Sequence, residues 1–390
     1  MNMPLPPLAL YVHVPWCVRK CPYCDFNSHG VGASANLPED AYLSALIADL
    51  DADLALAEGR ELVSIFIGGG TPSLMSDSFY RRLLEAVSAR LPWAADMEIT
   101  LEANPGTLER GRFAGYREAG INRLSIGVQS FQHAQLTALG RIHSGDDALA
   151  AVGEARAAGF DNLNLDLMHG LPGQTPELAM TDLETALSLA PEHLSWYQLT
   201  LEPNTEFHSH PPRLPEEEIL WDIQDLGHER LEAAGLERYE ISAYARSGRQ
   251  ARHNLNYWRF GDYLGIGAGA HGKLSRWGDS GLDMERRWKT RQPDAYLRRQ
   301  HDPRGFLAGR EAIAPRELPL EFAMNALRLV EGVPLSIWKA HTGHPVDRLL
   351  TCLQAARKKG LLVEDEEWLR ASPQGLLFLN ELLALIDETG

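Results

Sequence analysis

The sequence predicts an α/β chain: a partial barrel of six βα units, (β/α)6, followed by a small C-terminal helical, winged-helix-like domain. Three observations predict it. Residues 8–200 alternate short apolar runs with longer amphipathic ones, the pattern of βα units around a parallel sheet. The unusual residues of that stretch all fall at C-terminal ends of the apolar runs, where parallel barrels build their sites. Beyond about residue 315 the apolar periodicity becomes almost purely helical.

The strands run from Leu8 to Val14, Leu62 to Ile67, Met97 to Leu101, Arg123 to Val128, Asn162 to Leu167 and Leu194 to Leu199. The intervening helices are expected at 39–58, 76–90, 107–119, 145–158, 175–189 and 216–234. Thr107 ahead of Glu109 and Arg110, and Thr175-Pro176-Glu177 with proline at the first helical position, are helix start signals. Six consecutive units point to an open barrel rather than a closed eightfold one. The expected divisions are 1–235 for the barrel, 236–310 for an extension and 311–390 for the last domain. That domain places helices at 317–331, 336–341, 346–359 and 374–386, with Leu361-Leu-Val and Trp368-Leu-Arg between the last two.

Composition narrows the function. A chain of 390 residues can bury one large core and a smaller one. Its formal net charge of −16 argues against a nucleic-acid backbone as partner, because phosphate contact needs clustered Lys and Arg, and it weakens any case for anionic membranes. The N-terminus lacks a positive region before its short, proline-broken apolar run, so it does not read as a signal peptide. No run approaches the roughly 20 apolar residues of a membrane span. Few, unpaired cysteines read as cytosolic and reduced.

Cys17, Cys21 and Cys24 form a CxxxCxxC loop directly after the first strand. An iron–sulfur cube normally takes four protein thiolates, so three on one loop leave an iron open to an exchangeable ligand. The alternatives are a zinc site completed by His13 or His29, or unconnected thiols. Zinc motifs usually supply a second cysteine pair, which is lacking here. Cys352 lies in an apolar helical stretch and reads as a small buried hydrophobe.

Each other strand end adds a notable element: Gly68-Gly69-Gly70-Thr71-Pro72, Glu102-Ala-Asn104-Pro105, Gln129, Asp166 with His169-Gly-Leu-Pro-Gly173, and Tyr197-Gln198. The glycines either make a tight turn or let a ligand approach the backbone, whose carbonyls could hold an ammonium group. Glu102 and Asp166 are costly near buried strand ends unless paired or ligand-bound, and a solvated rim is the other reading.

CxxxCxxC, GGGTPS, LEANP, IGVQSF and DLMHGLPG resemble the radical S-adenosylmethionine superfamily, in its branch of oxygen-independent coproporphyrinogen III oxidases and their heme-chaperone relatives. The resemblance covers nearly the whole chain. It extends through Cys-Pro-Tyr-Cys-Asp-Phe-Asn-Ser28, Leu-Ser-Trp-Tyr-Gln-Leu-Thr200 and His253-Asn254-Leu-Asn-Tyr257-Trp258. It implies a [4Fe-4S] cluster on Cys17, Cys21 and Cys24 with S-adenosylmethionine on the open iron. It also implies that Tyr11, Tyr23, Gly69, Gly70, Thr71, Glu102, Gln129, Arg141 and Asp166 contact that ligand. Arg141 can fork onto a carboxylate, and its alternative is a surface helix cap.

The chain departs from the oxidases at Phe26, which stands where their CxxxCxxCxC motif has a fourth cysteine. It also lacks the segment that precedes the cluster loop in the oxidases and helps to enclose substrate, which counts against radical chemistry on a porphyrinogen. The resemblance therefore implies a heme chaperone, holding one heme per chain and passing it to an acceptor protein, with the oxidase as alternative and a cluster-dependent structural protein as a third reading. His253, Asn254, Tyr257 and Trp258 are the expected heme contacts, with His271 a second histidine candidate. The other reading of His253 is a histidine hydrogen-bonded within packed structure. A monomer or cluster-dependent dimer is expected, with membrane contact only through an acceptor. The last domain has more acidic than basic residues, so a covering or docking role is expected of it rather than DNA reading.

Overall fold

The computed structural model describes residues 4–32, 36–106, 111–278 and 281–387. Six strands, β1 (Leu8–Val14), β2 (Leu62–Gly69), β3 (Trp93–Ala103), β4 (Arg123–Gln129), β5 (Leu163–His169) and β6 (His193–Gln198), pair in that order, all parallel. These are the six strands the apolar runs predict. β1, Leu-Ala-Leu-Tyr-Val-His-Val, is buried at every position but Tyr11. Burial on both faces is what a parallel strand covered by helices requires.

Helices α1 (Glu39–Asp53), α2 (Asp77–Ser88), α3 (Phe113–Ala119), α4 (Gly145–Ala157), α5 (Pro176–Ser188) and α6 (Glu217–Ala233) connect the strands. Their starts are set by side chains. The Ser76 hydroxyl accepts from the Phe79 amide, Ser144 and Asp147 form a capping box, and Thr175 caps α5 with Pro176 as its first residue. The expected start at Thr107, with Glu109 and Arg110, lies outside the described residues. α1 is shorter than expected because the chain tightens into a 3-10 turn at Leu54–Ala57.

The sheet does not end at β6. Residues beyond 236 add β7 (Glu237–Glu240) and β8 (Ala243–Ala245) antiparallel beside β6. At the opposite edge β9 (Asp262–Ile266) pairs parallel with β1, and β10 (His271–Gly278), β11 (Gly281–Lys289) and β12 (Leu307–Ala312) follow antiparallel. The result is a single twelve-stranded sheet. The glycine-rich run before His271 serves this packing. A Cβ on Gly265 would lie 1.9 Å from the His271 carbonyl oxygen, and one on Gly267, at φ +105, would lie 2.4 Å from that of His13.

Helix α7 (Arg252–Trp258) carries the His-Asn-x-x-Tyr-Trp motif. The C-terminal region comprises α8 (Leu318–Ala326), α9 (Leu335–Thr342), α10 (Val346–Lys358) and α11 (Leu379–Asp387), with Val333–Pro334 paired antiparallel to Trp368–Leu369. Two expected helices change. The first stops at Ala326, and the last is divided between Pro373–Leu377 and Leu379–Asp387. Phe322, Trp338, Leu349 and Leu353 share one apolar core with Phe260 and Met284, which ties this region to the end of α7 and to β11.

Buried charge locks the added strands to the barrel. The fully buried Asp262 accepts from Arg60 Nη1 at 2.8 Å, Lys273 Nζ at 2.9 Å, and the Ser275 amide and hydroxyl at 2.8 and 2.9 Å. Lys289 likewise reaches Asp49 and Asp53 of α1 at 2.5 and 2.6 Å. Burial alone would raise the Asp262 carboxyl, but Lys273 and Arg60 hold it below the ordinary aspartate value. Asp262→Asn leaves the buried Lys273 without its counter-charge and removes one partner of the part-buried Arg60, and is expected to cost about 3–5 kcal/mol, read by urea unfolding. The depressed value sets the sign with pH: the Asp262 contribution is present above the ordinary aspartate range and is lost as pH falls through the folded-state value.

Candidate functional site

The C-terminal ends of all six barrel strands open into one cavity of about 520 Å³. Cys17, Cys21 and Cys24 line it, as do Tyr23, Gly69, Gly70, Thr71, Glu102, Gln129, Arg141 and Asp166. The turn after β2 sets the floor. Gly70 donates its amide to the Val14 carbonyl at 2.7 Å, and Thr71 donates to that of Trp16 at 2.7 Å. A Cβ on Gly69, at φ +115, would stand 2.6 Å from the His13 ring, and one on Gly70 the same distance from the Trp16 carbonyl oxygen. Tight packing against the cysteine loop and open backbone toward the cavity are thus one property of these glycines.

Arg141 is the hub of the site. It follows the short helix His133–Ala138, and its side chain reaches inward rather than capping a helix. Nη2 donates to Asn104 Oδ1 and the Gly127 carbonyl, both at 2.7 Å, and Nη1 donates to Cys21 Sγ at 3.8 Å. Asn104 in turn donates to Thr71 Oγ1 at 3.0 Å. Arg141 Nε is buried with no partner among the described residues. A cation with an unused donor beside three thiols suits an anionic ligand.

The two carboxylates of the cavity differ in how they are hydrogen-bonded. Asp166 accepts from Ser125 Oγ at 2.9 Å and Asn164 Nδ2 at 2.8 Å, yet burial still pushes its carboxyl up. Glu102 accepts one bond, from the Gly69 amide at 3.1 Å. Burial, with Asp166 adding repulsion, pushes it to about 8. Gln129 is held in the left-handed region at φ 67, and its Oε1 accepts from the Tyr197 hydroxyl at 2.8 Å.

The donor set fits a cluster with an exchangeable ligand. Burial raises the Cys17 and Cys24 thiols, so binding metal there displaces protons. Among the described residues no three His, Cys, Asp or Glu side chains gather closely enough for a single metal ion. A cube instead distributes its thiolates over separate corners. His13 is a poor fourth ligand because both its nitrogens are engaged, Nδ1 with the Tyr11 hydroxyl and Nε2 with the Asn27 carbonyl, each at 2.9 Å.

Other expected residues are distributed differently. Tyr11 faces a second cavity of about 410 Å³, bordered by Asp25, Phe26 and Asn27 just past the cysteine loop. His253 is buried at 1% exposure, its Nδ1 bonded to Ser64 Oγ at 2.9 Å and its Nε2 to the Tyr257 hydroxyl at 2.6 Å, with its ring stacked on Phe66. The packed, hydrogen-bonded reading of His253 describes its place. Asn254 lines the main cavity, Tyr257 the second and a small third one of about 220 Å³, and Trp258 that third one, with the Arg328 guanidinium over its ring.

Sequence reasoning missed Ser125, Glu240 and Arg328 as cavity residues, and it named Asn104 within a strand-end run without giving it a contact. Two had a signal. Asn104 is two residues beyond Glu102, and Ser125 shares the period-two face of Gly127 and Gln129. Glu240 and Arg328, an ion pair at 3.2 Å, come from separate parts of the chain, which no local pattern brings together.

Residues 11–186 match the Radical SAM superfamily, and residues 313–378 match the HemN C-terminal domain. The chain is 52% identical to the heme chaperone HemW of Escherichia coli (strain K12) over 386 residues, covering 98% of each chain. It is 48% identical to that of Haemophilus influenzae over 385 residues, again 98% of each. It is 36% identical to the mitochondrial radical S-adenosyl methionine domain-containing protein 1 of Mus musculus, over 96% of this chain and 86% of that one. Among solved structures, coproporphyrinogen III oxidase (HemN) from Escherichia coli superimposes with a TM-score of 0.80 at 24% identity, over 98% of this chain and 90% of that one, a likeness of fold.

Because burial and the neighbouring Asp166 push the Glu102 carboxyl to about 8, a ligand whose cationic group docks on it favours loss of its proton. Calorimetry at pH 7 in buffers of different ionisation enthalpy should show release of about one proton on binding S-adenosylmethionine, and Glu102→Gln should abolish it.

Proposed function

Because the chain belongs to the heme chaperone HemW family within the radical SAM superfamily, we propose that it binds heme and passes it to an acceptor protein. A [4Fe-4S] cluster on Cys17, Cys21 and Cys24 and S-adenosylmethionine in the adjoining cavity are its cofactors. When bound, the cluster supplies an iron open to an exchangeable amino-acid ligand. The carrying observation is the convergence of three thiols and Arg141 on a cavity built by six strand ends.

Within that cavity, Arg141 positions a carboxylate while holding Asn104 and Thr71 in place. Glu102 and the backbone of Gly69 and Gly70 receive an ammonium group. Asp166, kept rigid by Ser125 and Asn164, accepts from ribose hydroxyls. Tyr23 and Gln129 line the remaining walls. Glu240 and Arg328 stand at the same cavity from β7 and from just past α8, so the C-terminal region helps to enclose it.

Phe26 favours the chaperone over the oxidase. It is 59% exposed, at the position where the oxidase motif carries a fourth cysteine, and offers apolar surface instead of a thiol. Among the described residues no helix is long and apolar enough to cross a membrane. We place the protein in the cytoplasm, as a monomer or cluster-dependent dimer that meets a membrane only through its acceptor.

Anaerobic incubation of the reduced, reconstituted protein with S-adenosylmethionine and coproporphyrinogen III should yield no catalytic protoporphyrinogen or carbon dioxide. Turnover would assign the oxidase reaction instead. Heme titration should give a Soret band that saturates at a single heme per chain. Cys21→Ser should abolish the visible iron–sulfur absorption after reconstitution, and zinc without iron on metal analysis would overturn the cluster.

A further inference from the structure

The second cavity, of about 410 Å³, lies between the segment just past Cys24 and the turn joining β9 to β10. Its size falls in the range of small-molecule sites. Phe26, Tyr257 and Tyr263 give it apolar and aromatic walls, and Arg291 stands at its exposed rim. Two histidines border it. His13 spends both ring nitrogens on Tyr11 and Asn27. His271 is exposed, stacks against Trp288 with ring centroids 6.4 Å apart, and its ring makes no hydrogen bond among the described residues.

We propose that heme is held in this second cavity, with His271 as the axial ligand to iron, Arg291 on a propionate, and Phe26 with Tyr257 and Tyr263 against the porphyrin. The proposal rests on the heme-chaperone reading and specifies its site. A porphyrin needs a flat apolar slot, a cation for its carboxylates and an imidazole nitrogen free to coordinate. His271 meets the last condition. Partial desolvation of the ring, then the nearby Arg291 and Arg286 charges, lower its pKa and so favour the neutral form that metal ligation requires.

His253 then has a positioning role. Its Nε2 fixes the Tyr257 hydroxyl at 2.6 Å, and Tyr257 packs edge-on against Tyr263 at 4.5 Å between centroids. Coordination by His253 would break two buried hydrogen bonds and unstack Phe66, whereas coordination by His271 breaks none. Phe26 also lines the cluster cavity, so the heme site and the cluster share one loop.

Ferric heme titration followed by Soret absorption and low-temperature electron paramagnetic resonance tests the assignment. His271→Ala should lose the imidazole-ligand signature and bind heme about tenfold or more weakly, a loss of roughly 1.4 kcal/mol, and added free imidazole should restore the spectrum. Arg291→Ala should weaken binding with the ligand signature intact. His253→Gln, checked for folding by circular dichroism, should keep the imidazole signature. An unchanged signature in His271→Ala, or its loss in folded His253→Gln, would overturn this site while leaving the chaperone reading standing. Failure of the wild-type chain to bind heme would overturn both.

Discussion

The geometry on both sides of the cysteine loop depends on the pairing of β9 with β1, and that pairing depends on one buried carboxylate. Asp262 opens β9, Arg60 comes from the loop before β2, and Lys273 and Ser275 come from β10. One fully desolvated charge thus fixes the register of strands from three parts of the chain. Its cost of burial is met only when all its partners are in place, so the arrangement is all-or-none. Without it the start of β9 would lose its ties to β10 and to the loop before β2, while the turn joining β9 to β10 keeps its bonds to Asp49, Tyr296, Tyr42 and Asn27.

The main cavity works by the opposite principle. Asp262 is fully compensated, whereas Glu102 and Asp166 are buried at the strand ends with raised carboxyls, and Arg141 holds an unused donor. These groups gain their counterparts from a zwitterionic ligand. Complementarity is stored as unsatisfied electrostatics in a preformed site, which favours binding without large rearrangement. The likeness to a coproporphyrinogen III oxidase extends over nearly the whole chain and is a likeness of fold alone, so function has to be argued from the side chains of the site.

The six barrel strands were legible because parallel strands buried on both faces leave continuous apolar runs, as in Leu8–Val14. The cluster cysteines and the glycine turn were legible because their chemistry is local. β10 and β11 were not, since Arg276, Arg286, Arg287 and Lys289 make them read as surface. Lys289 is in fact buried against Asp49 and Asp53, more than 230 residues away in sequence. His253 shows the same limit. Its motif marks it out, but its partner Ser64 lies 189 residues earlier, and only the fold reveals that both ring nitrogens are already engaged.

Asn27 ties these parts together. Its side-chain amide donates to the carbonyls of Ala268 and Arg291, both at 2.9 Å, so the segment after Cys24 is fastened to the turn and strand end that frame the second cavity. Because Asp25, Phe26 and Asn27 also line that cavity, the segment after Cys24 and the turn at Ala268 form one mechanically continuous wall, so a displacement of either reshapes the space between them.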